Sequence, residues 1–104
     1  MLLKEDLENH RPWRVVQEVL YERAWLRAID SGEFDKCILF DILEALEKAL
    51  EFNPKIYGSR HAVIDGREFW LRAIDRAGIV PMHRVLYEVV EDQRTVILWN
   101  ASIS

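Results

Sequence analysis

A chain of 104 residues, half of them apolar and 31% of them charged, is long enough for one folded domain and too short for two. Its net charge of −4 provides no overall basic field, so contact with nucleic acid would depend on a local cluster of basic residues. The lone Cys37 excludes an internal disulfide. No apolar run approaches the ~20 residues of a membrane span, and residues 1–10 are too charged for a signal peptide. We therefore expect a cytoplasmic protein without membrane contact.

The first part of the chain predicts three short elements. Residues 1–12 read as a lead-in with leucines at helical spacing, which ends at Pro12 because the residue before a proline avoids helical angles. Alternating apolar side chains predict a strand over residues 13–19. A helix is predicted over residues 21–30 and stops at Ser31-Gly32, where glycine can adopt the left-handed cap.

The clearest element is a helix over residues 35–52. Apolar side chains recur there every three to four positions, while charged side chains collect on the opposite side. So broad an apolar stripe must pack on a large surface, and a sheet is its natural partner. Asn53-Pro54 ends this helix, and residues 55–65 are predicted to form a loop that contains Gly58.

Residues 66–77 are compatible with a strand or with a helix. The six residues Trp-Leu-Arg-Ala-Ile-Asp occur twice, at 25–30 and at 70–75, 45 positions apart. A true duplication would predict the same structure for both copies. Because the flanking residues do not match, we favour a strand for the second copy, followed by a connection over residues 78–81.

The last part of the chain predicts a β-hairpin. Residues 84–90 and 95–100 are rich in β-branched and aromatic side chains, and the polar residues 91–94 separate them. Alternation in the first strand places Val85, Tyr87 and Val89 on one face, and it places Arg84, Leu86 and Glu88 on the other. This pattern indicates one covered and one open face.

Three segments in this order resemble the RelE/ParE superfamily of small bacterial toxins. They are Asn53-Pro54 with Gly58 after the long helix, the basic and aromatic segment 67–72, and the segment 84–89 of the hairpin. The resemblance covers residues 13–100 and implies a single α+β domain in which a two-helix hairpin packs on a small antiparallel β-sheet. It also implies a concave basic sheet face as the working surface and, as the partner, an antitoxin protein that wraps this surface.

In the ribosome-dependent members of this superfamily, an mRNA interferase cleaves mRNA by attack of a 2′-hydroxyl on its neighbouring phosphate. This reaction needs a base, an acid and a group that stabilises the phosphate. The resemblance assigns that last role to Arg84, whose planar fork of donors suits a phosphate. The candidate catalytic residues are Arg84, Arg72 and His83, and the candidate RNA-binding residues are Arg60, His61, Arg67 and Arg76.

Each candidate also has a structural interpretation. Arg84 could pair with Glu88 on the same face or with Glu68 across strands. By alternation, His83 shares the covered face with Tyr87, which favours a structural histidine, and Tyr87 itself is expected in the core. A core position is likewise expected for three tryptophans, Trp25, Trp70 and Trp99. The fourth, Trp13, could contact a partner.

Other functions remain open on the same scaffold. Residues 99–104 lack the catalytic group that many active relatives carry after the last strand, so an inactive relative is one possibility. A second is a non-enzymatic module that binds a peptide or another copy of itself as a homodimer. A third is a ParE-type topoisomerase inhibitor. No metal or other cofactor is expected, because one cysteine and three scattered histidines give no metal-ligand spacing and no glycine-rich phosphate loop is present.

Overall fold

The computed structural model describes residues 11–104, so the predicted helical lead-in over residues 1–10 lies outside the described residues. Two helices and five strands follow one another along this part of the chain. In order they are β1 (Arg14–Gln17), α1 (Val19–Ser31), α2 (Lys36–Phe52), β2 (Ser59–Ile64), β3 (Arg67–Ile74), β4 (His83–Val90) and β5 (Thr95–Ile103). Neither helix is long and apolar enough to cross a membrane.

The five strands form one sheet in the order β1-β5-β4-β3-β2. Strands β2 to β5 pair antiparallel with their neighbours, whereas β1 lies parallel to β5 with Val15 opposite Val96. The predicted α+β class is therefore confirmed, with one difference: the sheet is mixed instead of purely antiparallel. Both helices and three strands separate β1 from β5 along the chain, and so long a connection permits parallel pairing.

The ends of the helices follow from local sequence. Gly32 caps α1 with φ 72°. The Asp35 carboxylate caps α2 by accepting hydrogen bonds from the backbone amides of Cys37 and Ile38 at 2.8 Å and 3.2 Å. One predicted boundary is wrong, because β1 ends at Gln17 and Val19 already belongs to α1.

The core lies between the helices and the central strands. Buried side chains of the two helices pack against one face of β4 and β5; they are Tyr21, Trp25, Ala28, Leu39, Leu46 and Leu50 from the helices and Val85, Tyr87, Val89, Val96 and Leu98 from the strands. The predicted alternation in β4 is confirmed, because Val85, Tyr87 and Val89 are buried while Arg84 is exposed. Trp13, which the sequence suggested as a residue that could contact a partner, is partly buried against this core.

The loop predicted over residues 55–65 is wrong, because Ser59–Ile64 forms the edge strand β2. Asp65 and Gly66 connect β2 to β3 with φ values of 52° and 76°, the conformation of a two-residue hairpin turn. Ile64 stands opposite Arg67 directly beside this turn. Gly58 lies before the strand, where a Cβ atom would overlap the hydroxyl of Tyr87.

The repeated hexapeptide adopts two structures. Its first copy lies in α1, where Trp25 and Ala28 are buried. Its second copy enters β3, where Trp70 stacks on Tyr87 of β4 with ring centroids 6.5 Å apart. The strand favoured for this copy is confirmed. The secondary structure of each copy is therefore decided by its tertiary surroundings, since the local propensities of the two copies are identical.

Candidate nucleic-acid interface

The sheet has a second face, opposite the helices, and strand register identifies the side chains on it. On β3 and β4, Phe69 stands opposite Glu88, Leu71 opposite Leu86, and Ala73 opposite Arg84. Paired residues project to the same side of a sheet, so these three pairs share one face. Trp99, Asn100 and Ser102 of β5 continue it; we call this surface the open face.

A β-bulge in β5 shapes the open face. The register moves from Leu86 opposite Asn100 to Tyr87 opposite Leu98, which leaves Trp99 as the extra residue. After the bulge, the side chains of β5 again alternate between the open face and the core, so Ala101 packs against the core. The Trp99 indole lies on the open face and donates a hydrogen bond to Glu88 at 3.1 Å. Trp99 is thus not the core residue that the sequence predicted.

Arg84 lies exposed on the open face between two small residues, Ala73 of β3 and Ser102 of β5. With Leu71, Leu86 and other neighbours it lines a shallow depression of about 170 Å³. An exposed, planar cation in such a depression can donate two parallel hydrogen bonds to a phosphate or a carboxylate.

The two predicted ion pairs of Arg84 are not formed. Glu88 is bound by Arg67 instead, and Glu68 points to the helix-facing side, where it accepts a hydrogen bond from the indole of Trp70 at 2.7 Å. Within residues 11–104, Arg84 has no ion pair. Its charge is therefore free to act on a bound molecule.

Arg67 is the second arginine of the open face, and its surroundings differ. Its Nε and Nη2 atoms donate to the two carboxylate oxygens of Glu88 at 3.2 Å and 2.7 Å. The guanidinium carbon lies 5.3 Å from the ring centroid of Phe69 and 5.6 Å from that of Trp99. The side chain of Arg67 is 51% exposed, whereas that of Glu88 is 7% exposed.

This pairing fixes the charge state of Glu88. The hydrogen bonds from Arg67 lower the pKa of the Glu88 carboxyl from its ordinary value of 4.5, and they outweigh the opposite effect of burial. The same hydrogen bonds raise the pKa of Arg67. Near neutral pH, Glu88 therefore neutralises much of the positive charge of Arg67, while Arg84 keeps its own.

Arg72 does not share a face with Arg84. It stands opposite Val85, so its side chain lies on the helix-facing side of the sheet. There its Nη1 atom donates to the carbonyl oxygen of Tyr57 at 2.8 Å, and its guanidinium carbon lies 5.6 Å from the Tyr57 ring centroid. These contacts hold the segment between α2 and β2, so the placement supports a structural role for Arg72.

His83 is buried on the helix-facing side. Its Nδ1 atom lies 3.0 Å from the carbonyl oxygen of Pro81, and its ring centroid is 6.2 Å from that of Trp25. His83 thus lies on the covered face, as alternation indicated. Tyr87 is buried as well, with its hydroxyl 2.6 Å from the Pro54 carbonyl oxygen, and burial raises the pKa of its phenol to about 12.

The remaining candidates are exposed and do not line the depression at Arg84. Arg60 stands opposite Trp70, which places it on the helix-facing side of the edge strand. His61 occupies a register shift in the same strand. Arg76 lies in the connection between β3 and β4. Of the seven predicted site residues, the structure brings Arg84 and Arg67 onto the open face. Among residues 11–104, no three His, Cys, Asp or Glu side chains cluster as metal ligands would.

Comparison with solved structures identifies the fold. The toxin-antitoxin complex RelBE2 of Mycobacterium tuberculosis matches with a TM-score of 0.61 and 17% identity, over 89% of this chain and 92% of that chain. The intact Escherichia coli RelBE complex matches at 0.59 and 12%, over 88% and 96%. The isolated E. coli RelE toxin matches at 0.58 and 11%, over 88% and 84%.

These matches show that the chain has a RelE-like fold, so the resemblance seen in the sequence is confirmed at the level of the fold. No family model and no curated protein matches the sequence. At identities of 17% or less, fold similarity does not carry function, which has to be argued from the site.

Proposed function

We propose that this chain is the toxin-family member of a toxin-antitoxin pair and that its open face binds single-stranded RNA through Arg84. The RelE-like fold supports the family, since its matches include two toxin-antitoxin complexes. The observation that carries the RNA-binding role is Arg84 itself: an exposed guanidinium in a shallow depression, with no ion pair to any residue from 11 to 104. Such a group suits a phosphate of the RNA backbone.

The surroundings of Arg84 favour RNA binding over RNA cleavage. Besides Arg84, the depression is lined by Leu71, Leu86, Asn100, Ala101 and Ser102. None of these five side chains titrates near neutral pH, and cleavage needs a general base and a general acid. The buried His83 and Tyr87 face the other side of the sheet. We therefore favour an RNA-binding relative without nuclease activity over an active mRNA interferase; in an active enzyme, Arg84 would stabilise the phosphate.

Growth of bacteria that express the chain tests the toxin role. Induction of the wild-type chain should slow growth because RNA is sequestered, and Arg84→Ala should remove most of this effect. Arg23→Ala is the matched control, since Arg23 is an exposed arginine on α1. Arrest that persists in Arg84→Ala would contradict the role of the open face and support a topoisomerase inhibitor. No arrest at all would support the alternative of a non-enzymatic module that binds a peptide or another copy of itself.

Cleavage is tested separately with ribosome-bound mRNA and the purified chain. We expect the mRNA to remain intact while it competes for binding. Defined cleavage products that disappear in Arg84→Ala would instead identify an active interferase.

An antitoxin segment is the protein partner that we propose, and the groove between α1 and α2 is its proposed site. This groove has a volume of about 260 Å³ and apolar lining residues that include Trp25, Leu26 and Phe40, and the acidic side chains of Glu22 and Glu47 line it as well. Leu26 and Phe40 are 56% and 55% exposed, so their apolar surface is accessible to a partner. An amphipathic segment with basic flanking residues would complement both features.

Co-expression with the protein encoded next to this chain tests the proposed partner. That protein should relieve the growth defect and co-purify, and Phe40→Ser should weaken both effects. Arg84→Ala on the opposite face should leave co-purification intact. Equal co-purification of both variants with the wild type would exclude the groove.

A further inference from the structure

We propose that Arg67, Phe69 and Trp99 form a stacking surface for one unpaired base of the RNA whose phosphate contacts Arg84. This inference rests on the proposed RNA-binding function and names a second contact on the same face. Its basis is the contrast between the two arginines. Arg84 has no ion pair within the described residues, whereas the charge of Arg67 is largely balanced by the Glu88 carboxylate.

The hydrogen bonds of Arg67 determine which contacts it can still make. Two of its nitrogens are engaged by Glu88, and Trp99 donates a third hydrogen bond to the same carboxylate. An arginine that is paired in this way contributes less to phosphate binding, because a second anion would lie close to Glu88. Its planar group remains available for stacking.

The rings beneath Arg67 support the same conclusion. Phe69 and Trp99 are partly buried, and their ring centroids lie 5.3 Å and 5.6 Å from the guanidinium carbon. The side chain of Arg67 itself is half exposed. Guanidinium groups and aromatic rings are the surfaces on which unpaired RNA bases stack. Phe69 and Trp99 thus support the guanidinium of Arg67 from one side, and the base would stack on its exposed side.

The position of the stacking surface fits a single RNA strand that also reaches Arg84. Arg84 and Glu88 lie four residues apart on β4, which corresponds to ~13 Å along the strand. Leu71 and Leu86 lie between the two contacts as opposite partners on β3 and β4. They provide an apolar surface without another charge. The RNA would therefore be held at two points, by Arg84 through a phosphate and by Arg67 through a base.

Two oligomers with the same number of phosphates test this proposal against the full chain. One is an oligouridine of about ten nucleotides, and the other is its abasic counterpart. Fluorescence anisotropy should show that the wild type binds the oligouridine about tenfold more tightly, because one base gains a stacking partner that the abasic oligomer cannot use. Arg67→Lys keeps the charge and removes the planar group, so this preference should fall to less than about threefold while abasic binding changes little.

Further variants separate the possible causes. Phe69→Leu should reduce the preference in the same way while keeping an apolar side chain at that position. Arg23→Lys on α1 is the matched control and should retain the full preference. Arg84→Ala should weaken binding of both oligomers by a similar factor and leave their ratio unchanged.

Several outcomes would overturn the proposal. Equal wild-type affinity for both oligomers, with both affinities dependent on Arg84, would refute the stacking surface and leave the proposed function standing. A preference for the oligouridine that survives both Arg67→Lys and Phe69→Leu would also refute the stacking surface and leave the proposed function standing. Absence of binding to either oligomer would overturn both proposals.

Discussion

Two arginines on the open face have opposite surroundings, and the difference comes from one carboxylate. Glu88 receives two hydrogen bonds from Arg67 and one from Trp99. Arg84 lies four residues earlier on the same strand and has small neighbours instead. The sequence predicted both arginines as site residues, but it could not show which of them Glu88 would pair with, because that choice depends on the register between β3 and β4.

The pH dependence of stability tests the Glu88 pair. The folded pKa of Glu88 lies below its ordinary value of 4.5, so its contribution to stability is present above that value and is lost as the pH falls through the folded pKa. We expect Glu88→Gln to lower the free energy of unfolding by about 1 kcal/mol near pH 7, since Arg67 is half exposed and partly screened by solvent.

Urea unfolding of the two proteins across the acidic range measures this effect. The difference between wild type and Glu88→Gln should shrink as the carboxylate becomes protonated. The exposed Glu44–Lys48 pair is present in both proteins and cancels from the comparison. A difference that stays constant from neutral to acidic pH would show that the carboxylate charge does not stabilise the fold.

Gly58 gives a prediction about packing. Its backbone lies against the Tyr87 side chain so closely that an added Cβ would overlap the hydroxyl. We expect Gly58→Ala to destabilise the protein by about 2 kcal/mol in urea unfolding, as overpacking usually does. In a Tyr87→Phe background the alanine should cost clearly less, because the overlapping atom is gone. Equal costs in both backgrounds would contradict this explanation.

At the scale of elements, the sequence predicted those whose ends and faces are encoded locally. The helix predicted over residues 35–52 appears as α2, because Asp35 caps it and Asn53-Pro54 ends it. The hairpin of β4 and β5 follows from alternation, and the same alternation placed His83 on the covered face. Strand β2 was missed although Asp65-Gly66 is a strong hairpin signal, since the preceding residues were interpreted as a loop.

Other features of the site depend on contacts between distant parts of the chain. Trp99 reaches the open face through a bulge whose position appears only once β5 is paired with β4. Arg72 lies on the opposite face from Arg84 because it stands opposite Val85. The structure of the repeated hexapeptide also depends on distant contacts, since identical residues form a helix around Trp25 and a strand around Trp70. Alternation in the sequence assigned Arg84 to its face, whereas Arg67 and Arg72 could be assigned only from the register.

At the scale of the whole molecule, charge is distributed unequally along the chain. Residues 1–54 contain 7 basic and 12 acidic side chains, whereas residues 55–104 contain 7 basic and 6 acidic ones. Both helices lie in the acidic part, and β3 and β4, which carry Arg67 and Arg84, lie in the other. Helix α2 carries four acidic and two basic side chains, so a basic partner is favoured beside it.

The salt dependence of single-stranded RNA binding tests the central claim most directly. Fluorescence anisotropy with a labelled oligouridine should show that Arg84→Ala binds several-fold more weakly than the wild type, whereas the control Arg23→Ala binds equally well. The slope of log affinity against log salt concentration should also become shallower by about 0.7, the change expected when one phosphate contact on a single strand is lost. An Arg84→Ala protein with the wild-type affinity and slope would contradict the account.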